Sequence, residues 1–403
     1  MRSARDRQLR RNVMKHAFMC SFVRKAIFIV PTILTLCLLP IIAAAANQQC
    51  VVARVPNAKV LRLDKFYAGV AIADNDVWAV GAAANLKTSE PLAEHWDGST
   101  WQVVRTPDIP RSNLYGVAAV STSDVWAVGD YFDATQAEFL TLAIHWNGSR
   151  WNAVPTPNAA PNDSLSGISS VKQSNNLWAV GTASSLGGPN IGFIERWDHA
   201  AWSIAYTYQS PLGASFLQSV ASTSPRSAWA VGTYTASDGF EFPLALHWDG
   251  QAWSQVSTMT LPVGSFQAVS ALADDDVWAV GVVPFLHSVK PFVAHWNGLS
   301  WTQVPAPTVG LKFATLNGVI ALSRDNVWVD GNTYNRSRLD PDSTDIIAHW
   351  DGAAWTTLRA PESGEDKSLY GITGLSHAVW SMGFVDPVIS KGEASAVTDF
   401  SHC

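Results

Sequence analysis

Five histidines, His95, His145, His247, His295 and His349, recur about 50 residues apart or at twice that spacing, each followed by a tryptophan. Imidazole is the side chain most often recruited as a metal ligand or proton carrier near neutral pH. One histidine per repeat, always at the same hairpin position, holds the five apart, so they cannot converge on one ion. A repeated structural hydrogen bond at a turn is the chemistry this spacing supports. Asp340, Asp342 and Asp345 alternate as calcium ligands do, but the stretch lacks the central glycine and closing glutamate of an EF-hand loop and reads as an exposed acidic loop. Asp330 stands where other repeats carry Val80, Val128, Val180, Val231, Val280 and Met382. A polar residue there is costly unless paired, and the sequence offers Arg336 and Arg338 as partners, or else a functional role. The chain has no nucleophile elbow, zincin motif, P-loop or Cys-x-x-Cys. It therefore yields no catalytic, cofactor-binding or metal set, and spacing alone does not bring two carboxylates to the separation glycoside hydrolysis needs.

The elements that would position any site are repeats. Ser123-Asp124-Val125-Trp126-Ala127-Val128-Gly129 has six relatives, with the tryptophan at Trp78, Trp126, Trp178, Trp229, Trp278, Trp328 and Trp380. Self-similarity at about 50 residues marks units that bury an apolar face against the next unit. Each unit reads as four short apolar stretches bounded by turn residues, such as Leu114–Ser121, Val125–Asp130, Leu140–Trp146 and Trp151–Val154, which are strand signals. Four strands repeated seven times predict an all-β, seven-bladed β-propeller of four-stranded antiparallel blades. A small residue about ten positions before each tryptophan (Gly69, Gly116, Gly167, Ser219, Ala268, Gly318, Gly371) fits the crowding of innermost strands.

The third and fourth strands form a hairpin on His-Trp-(Asp/Asn)-Gly-x-x-Trp, as in His95-Trp96-Asp97-Gly98 with Trp101. The turn decays to Asp198-His199 in the third unit. Asp-Gly and Asn-Gly supply the positive φ angles of tight hairpins, and the paired tryptophans are packing. A Val-Trp-Ala-Val-Gly strand, an aromatic-Asp turn, a second tryptophan and an exit such as Val103-Val104-Arg105-Thr106-Pro107 resemble a kelch repeat over residues 48–403. The resemblance implies a propeller of four-stranded blades. It departs from kelch in having one glycine (Gly81, Gly129, Gly232) where that family has two, as a separate bacterial propeller family with the same blade logic would. Kelch-like propellers include oxidases, isomerases and protein-binding modules, so it implies no single activity.

The termini complete the ring. The last unit stops after a third strand, Ala394–Phe400, and Cys50–Asn57 matches a fourth strand without a blade, so residues 50–56 should complete the seventh blade beside residues 394–402. That pairing sets Cys50 and Cys403 across one turn, a candidate disulfide. Residues 1–46 are a separate segment, a signal peptide or an N-terminal membrane anchor: eight basic residues with one acidic, an uncharged run from Ala26 to Ala46, and Ala44-Ala45-Ala46 before Asn47. The remainder, residues 47–403, has 19 basic side chains against 32 acidic, a net charge of −13. That acidic balance disfavours nucleic acid, leaving the N-terminal segment as the only membrane contact.

In such blades the second-to-third loops and the connections to the next blade share one face, and here they vary in chemistry. The candidate binding residues are Tyr131, Phe132, Glu138, Tyr234, Asp238, Phe240, Glu241, His287, Lys290, Asp330, Tyr334, Arg336 and Arg338. The expectation is a secreted, monomeric, non-catalytic scaffold that engages a protein or glycan there and needs no cofactor. The alternatives are an extracellular carbohydrate-active hydrolase or lyase and a structural cell-envelope protein.

Overall fold

Among the described residues of the structure, a computed structural model, every regular element is a β-strand. The structure describes residues 51–402 except 56–63, 86, 172–173, 211–212, 287, 311–312, 335–343, 359–365 and 387–394. The first strand, β1, is Val51–Val55. A first group of four follows as β2 (Lys65–Ala73), β3 (Asp76–Ala84), β4 (Ser89–Trp96) and β5 (Trp101–Val103). The second is β6 (Ser112–Ser121), β7 (Asp124–Asp133), β8 (Glu138–Trp146) and β9 (Trp151–Val154). The third is β10 (Asn162–Val171), β11 (Ser174–Ser184), β12 (Ile191–Trp197) and β13 (Trp202–Tyr208). The fourth is β14 (Ser215–Ser224), β15 (Ser227–Thr235), β16 (Glu241–Trp248) and β17 (Trp253–Val256). The fifth is β18 (Ser265–Ala273), β19 (Asp276–Phe285), β20 (Ser288–Trp296) and β21 (Trp301–Val304). The sixth is β22 (Phe313–Ser323), β23 (Asn326–Tyr334), β24 (Thr344–Trp350) and β25 (Trp355–Leu358). Last come β26 (Asp366–Leu375), β27 (Ala378–Asp386) and β28 (Ser395–His402).

Each group of four pairs antiparallel in sequence order, and one parallel bridge, Val289 to Phe313, links the fifth group to the sixth. The last sheet has the order β1-β28-β27-β26, with Val51 opposite His402 and Val55 opposite Thr398. The first strands of consecutive sheets touch in sequence from β2 to β26, and β26 in turn touches β2. The result is a propeller-like all-β architecture of four-stranded antiparallel sheets. Cys50 and Cys403 lie outside the described residues.

The core lies between sheets. Trp126, Val128 and Ala143 of the second sheet pack with Leu165, Leu177, Ala179 and Trp202 of the third, and the other neighbouring sheets repeat the arrangement. All nineteen tryptophans sit on second strands or hairpins. The hairpin partners meet across each turn, as Trp96 and Trp101 do at 5.8 Å between ring centroids. Trp78, Trp126, Trp178 and Trp229 are also met edge-on by a hairpin indole of the next sheet, as Trp78 by Trp151 at 5.2 Å and Trp178 by Trp253 at 5.1 Å. Such pairs contribute about 0.5–1.5 kcal/mol beyond their buried area. The hairpin signature therefore fastens sheet to sheet as well as strand to strand.

Each recurrent histidine lies over its own sheet's second-strand tryptophan, with Trp126 and His145 4.3 Å apart. It shares a hydrogen bond with the residue that opens that strand: His95 with Asp76 at 2.9 Å, His145 with Asp124 at 2.9 Å and His295 with Asp276 at 2.8 Å. His349 meets Asn326 and His247 meets Ser227 in the same way. Burial pushes the His247 and His349 imidazoles down from their ordinary pKa, favouring the neutral ring. In the decayed third hairpin, His199 takes a φ of 77° where the other turns place glycine.

Candidate functional site

The repeated glycine of the second strand has a local cause that leads to a site. A Cβ on Gly129 would lie 1.9 Å from the carbonyl oxygen of Asn113, and one on Gly281 would lie 2.0 Å from that of Ser265. The same first-strand carbonyl fills the Cβ space at Gly81, Gly181, Gly232, Gly331 and Gly383. Just beyond that carbonyl every first strand bulges, with a register shift from Leu114 to Gly116 in β6 and from Phe266 to Ala268 in β18. A bulge turns one side chain out of the ladder's alternation. The seven residues passed over, Tyr67, Tyr115, Ser166, Gln218, Gln267, Asn317 and Tyr370, all line one cavity of about 180 Å³ among the first strands.

The small residue after each bulge permits the crowding: a Cβ on Gly116 would meet Gly167 Cα at 3.0 Å, and one on Gly371 would meet the Tyr67 carbonyl at 2.8 Å. In the first sheet this residue is Ala68, which pairs with Val80 as Gly116 pairs with Val128, and not Gly69 as the count from the tryptophan suggests. Sequence reading missed the cavity residues, although a signal existed. An uncharged polar residue stands directly before the small one in all seven units.

Tyr67 lies 5.2 Å from both Tyr115 and Tyr370, ring centroid to ring centroid. Burial, with Tyr370 and Asp130 nearby, pushes the Tyr67 phenol up to about 12, and Tyr115 and Tyr370 also rise through burial. All three are hydrogen-bonding phenols at neutral pH. Behind them, buried Asp130 accepts a hydrogen bond from the Asn113 side-chain amide at 3.2 Å. Burial raises the pKa of Asp130, with Asn113 and Ser164 opposing the rise.

The residues expected on the loop face divide into four groups. Phe240, Glu241, Asp238, Lys290 and Tyr334 are exposed there. Asp238 accepts the Phe240 backbone N–H at 3.0 Å, Lys290 Nζ stands 3.7 Å over the Phe285 ring, and Tyr334 stacks on Phe313 at 5.3 Å. Tyr131, Phe132, Glu138 and Tyr234 are half-buried. Phe132 lies beneath the Arg111 guanidinium at 3.5 Å, and Tyr131 packs into the core between the first two sheets. Asp330 is wholly buried, correcting its assignment to that face. His287, Arg336 and Arg338 lie outside the described residues.

The loop face gathers apolar surface. Among the described residues, seven of ten exposed large apolar side chains lie on second-to-third loops, the strand ends beside them, or a sheet-to-sheet connection. They are Phe139, Leu186, Phe240, Phe285, Leu286, Tyr334 and Met259; Leu299 alone lies on a hairpin turn at the opposite end. Backbone bonds tie three of the loop ends to the next sheet: Arg111 N–H to Ser89 O at 2.7 Å, Ser215 N–H to Asn190 O at 2.9 Å and Gly264 N–H to Glu241 O at 2.9 Å.

The carboxylates that could do acid–base chemistry are between sheets. Asp330 points at the seventh sheet, where Ser381 and the Gly318 backbone partly favour its charge. Burial, aided by Asp345, raises its pKa to about 8. Its room comes from Gly318, whose Cβ would fall 2.4 Å from Asp330 Oδ1. Buried Glu195 is likewise pushed up to about 8 by burial and then by Asp163, which accepts backbone N–H groups from Ala159 and Ala160. Among the described residues no group of three or more His, Cys, Asp or Glu could hold a metal ion.

No protein-family model matches the chain, and no curated protein matches its sequence. Solved structures do resemble it. YCF48 bound to a D1 peptide aligns with a TM-score of 0.52 at 14% identity, over 88% of this chain and 96% of that one. A mutant of Trypanosoma rangeli sialidase displaying trans-sialidase activity aligns with a TM-score of 0.46 at 12% identity, over 87% of this chain and 58% of that one. The likeness to YCF48 is one of fold, and the kelch-like repeats have no matching family model behind them.

Proposed function

We propose that this chain is an exported, non-catalytic scaffold, a closed seven-bladed kelch-like propeller that holds a protein partner on its loop face. The observation that carries this is the one-sided distribution of exposed apolar side chains. A soluble surface does not concentrate Phe240, Phe285, Leu286 and Tyr334 at one end unless something covers them. Cationic groups stacked on neighbouring rings, Arg111 on Phe132 and Lys290 on Phe285, add hot-spot chemistry at the same end. A peptide occupant suits this fold, since YCF48 is seen with one. The hydrolase or lyase reading is weaker, because Asp330, Asp163 and Glu195 are shut between sheets where no substrate reaches them. Export rests on residues 1–46, and the proposed Cys50–Cys403 disulfide would lock β1 onto β28. An intact mass two hydrogens light before reduction tests that bond.

The test of the binding reading is site-specific photocrosslinking in the native host, with the label at Phe240, Leu286 or, as control, Leu299. The expected result is one discrete protein adduct from the first two positions and none from the third. Equal labelling from all three would overturn the proposal.

A further inference from the structure

The cavity among the first strands is a second site, independent of the loop-face reading, and its lining specifies a ligand. Among the described residues no charged side chain lines it. One arc is aromatic: Tyr370, Tyr67 and Tyr115 stand side by side, neighbouring rings inclined at 48° and 58°. The facing arc is amide and hydroxyl: Gln218, Gln267, Asn317 and Ser166. Carboxamides present donors and acceptors together, and phenols and hydroxyls can do either. Tilted rings make a curved wall with polar edges rather than a parallel slot, so a flat aromatic guest has no second face to stack on. A saturated ring with apolar C–H groups on one face and hydroxyls around its edge fits both arcs at once. The volume of about 180 Å³ equals that of about six waters and falls below the roughly 300 Å³ at which drug-sized pockets begin.

We infer that this cavity binds a single neutral sugar ring, its C–H face on the tyrosine arc and its hydroxyls bonded to the amide arc. A bulge sets each of the seven residues among the cavity's lining, so the site is built by the backbone. An anion gains no cationic partner among these lining residues and meets Asp130 behind the tyrosines. A cation lacks a carboxylate in the lining.

The test is isothermal titration of the whole protein with glucose, galactose and N-acetylglucosamine, each to 50 mM on the order of the weakest useful affinity. Saturable one-to-one binding of at least one sugar is expected. Tyr67→Ala and Gln267→Ala should each weaken it, by up to about tenfold for the tyrosine, while Leu299→Ser, on an exposed hairpin turn, leaves it unchanged. Should Tyr67→Ala fail to fold, protein protonated only at tyrosine replaces it, and saturation transfer to the sugar's ring protons is expected. No saturable binding by any of the three sugars would overturn the proposal, as would binding indifferent to both substitutions or an absence of transfer from tyrosine.

Discussion

Replacing Asp330 with asparagine should abolish a large pH dependence of stability while changing the shape of the core hardly at all. The carboxyl is fully buried, and burial raises its pKa from 3.8 to about 8, with Ser381 and the Gly318 backbone offsetting only part of the rise. A raised carboxyl pKa means that the folded state holds its proton more tightly than the unfolded state does. The associated stability is fully present below about pH 4 and is lost as pH rises through about 8. Against an ordinary aspartate, the loss grows from about 2 kcal/mol at pH 5 to about 5 kcal/mol at pH 8. Asparagine keeps the volume and does not titrate, so its own burial cost is a constant offset that cancels between the two pH values. Glu195 shifts in the same direction but is present in both proteins. The difference in melting temperature between Asp330→Asn and the parent should therefore move by roughly 5 °C in the variant's favour from pH 5 to pH 8, scaling unfolding entropy to a chain of this size. Calorimetry at those two pH values is the assay. Parallel behaviour of the two proteins would refute the reasoning, because it would mean that the carboxyl is solvated or paired.

The tryptophan contacts and the bulge glycines give two further tests. Trp151→Ala removes a buried indole that meets Trp78 edge-on in the neighbouring sheet, and chemical denaturation should show a loss of about 3–5 kcal/mol. Gly129→Ala drives a methyl into the Asn113 carbonyl and should cost about 3 kcal/mol or more, whereas Gly188→Ala, with nothing closer than 3.6 Å, should stay within about 0.5 kcal/mol. Equal effects would mean that the second-strand glycine is not needed for the bulge.

Much of the fold was legible because its signals are local and repeated. Tight turns demand Asp-Gly or Asn-Gly whatever surrounds them, and strand periodicity follows from the pleat, so the four strands of each unit could be read in order. The match between Cys50–Asn57 and a fourth strand was legible for the same reason, and β1 does pair with β28. The histidines were legible because a position repeated around a set of sheets holds its side chains apart. The candidate site was not. Tyr131 and Phe132 stand among turn-like residues and read as loop, yet strand β7 runs on to Asp133 and half-buries both. Asp330 broke the pattern visibly, but whether it faced solvent, an arginine or a neighbouring sheet depended on the seventh unit.

By itself, then, the sequence determined the repeat, the turns and the apolar faces, because these depend on residues within a few positions of one another. Only the tertiary structure decided that Tyr67, Tyr115, Ser166, Gln218, Gln267, Asn317 and Tyr370 share one cavity. They are about 50 residues apart, and each enters the cavity through a bulge that a second-strand glycine makes possible. It likewise decided that the exposed aromatic side chains of separate loops gather at one end. Which side chains meet depends on how sheets stack, and that is set by the summed packing between neighbours rather than by any one stretch of chain.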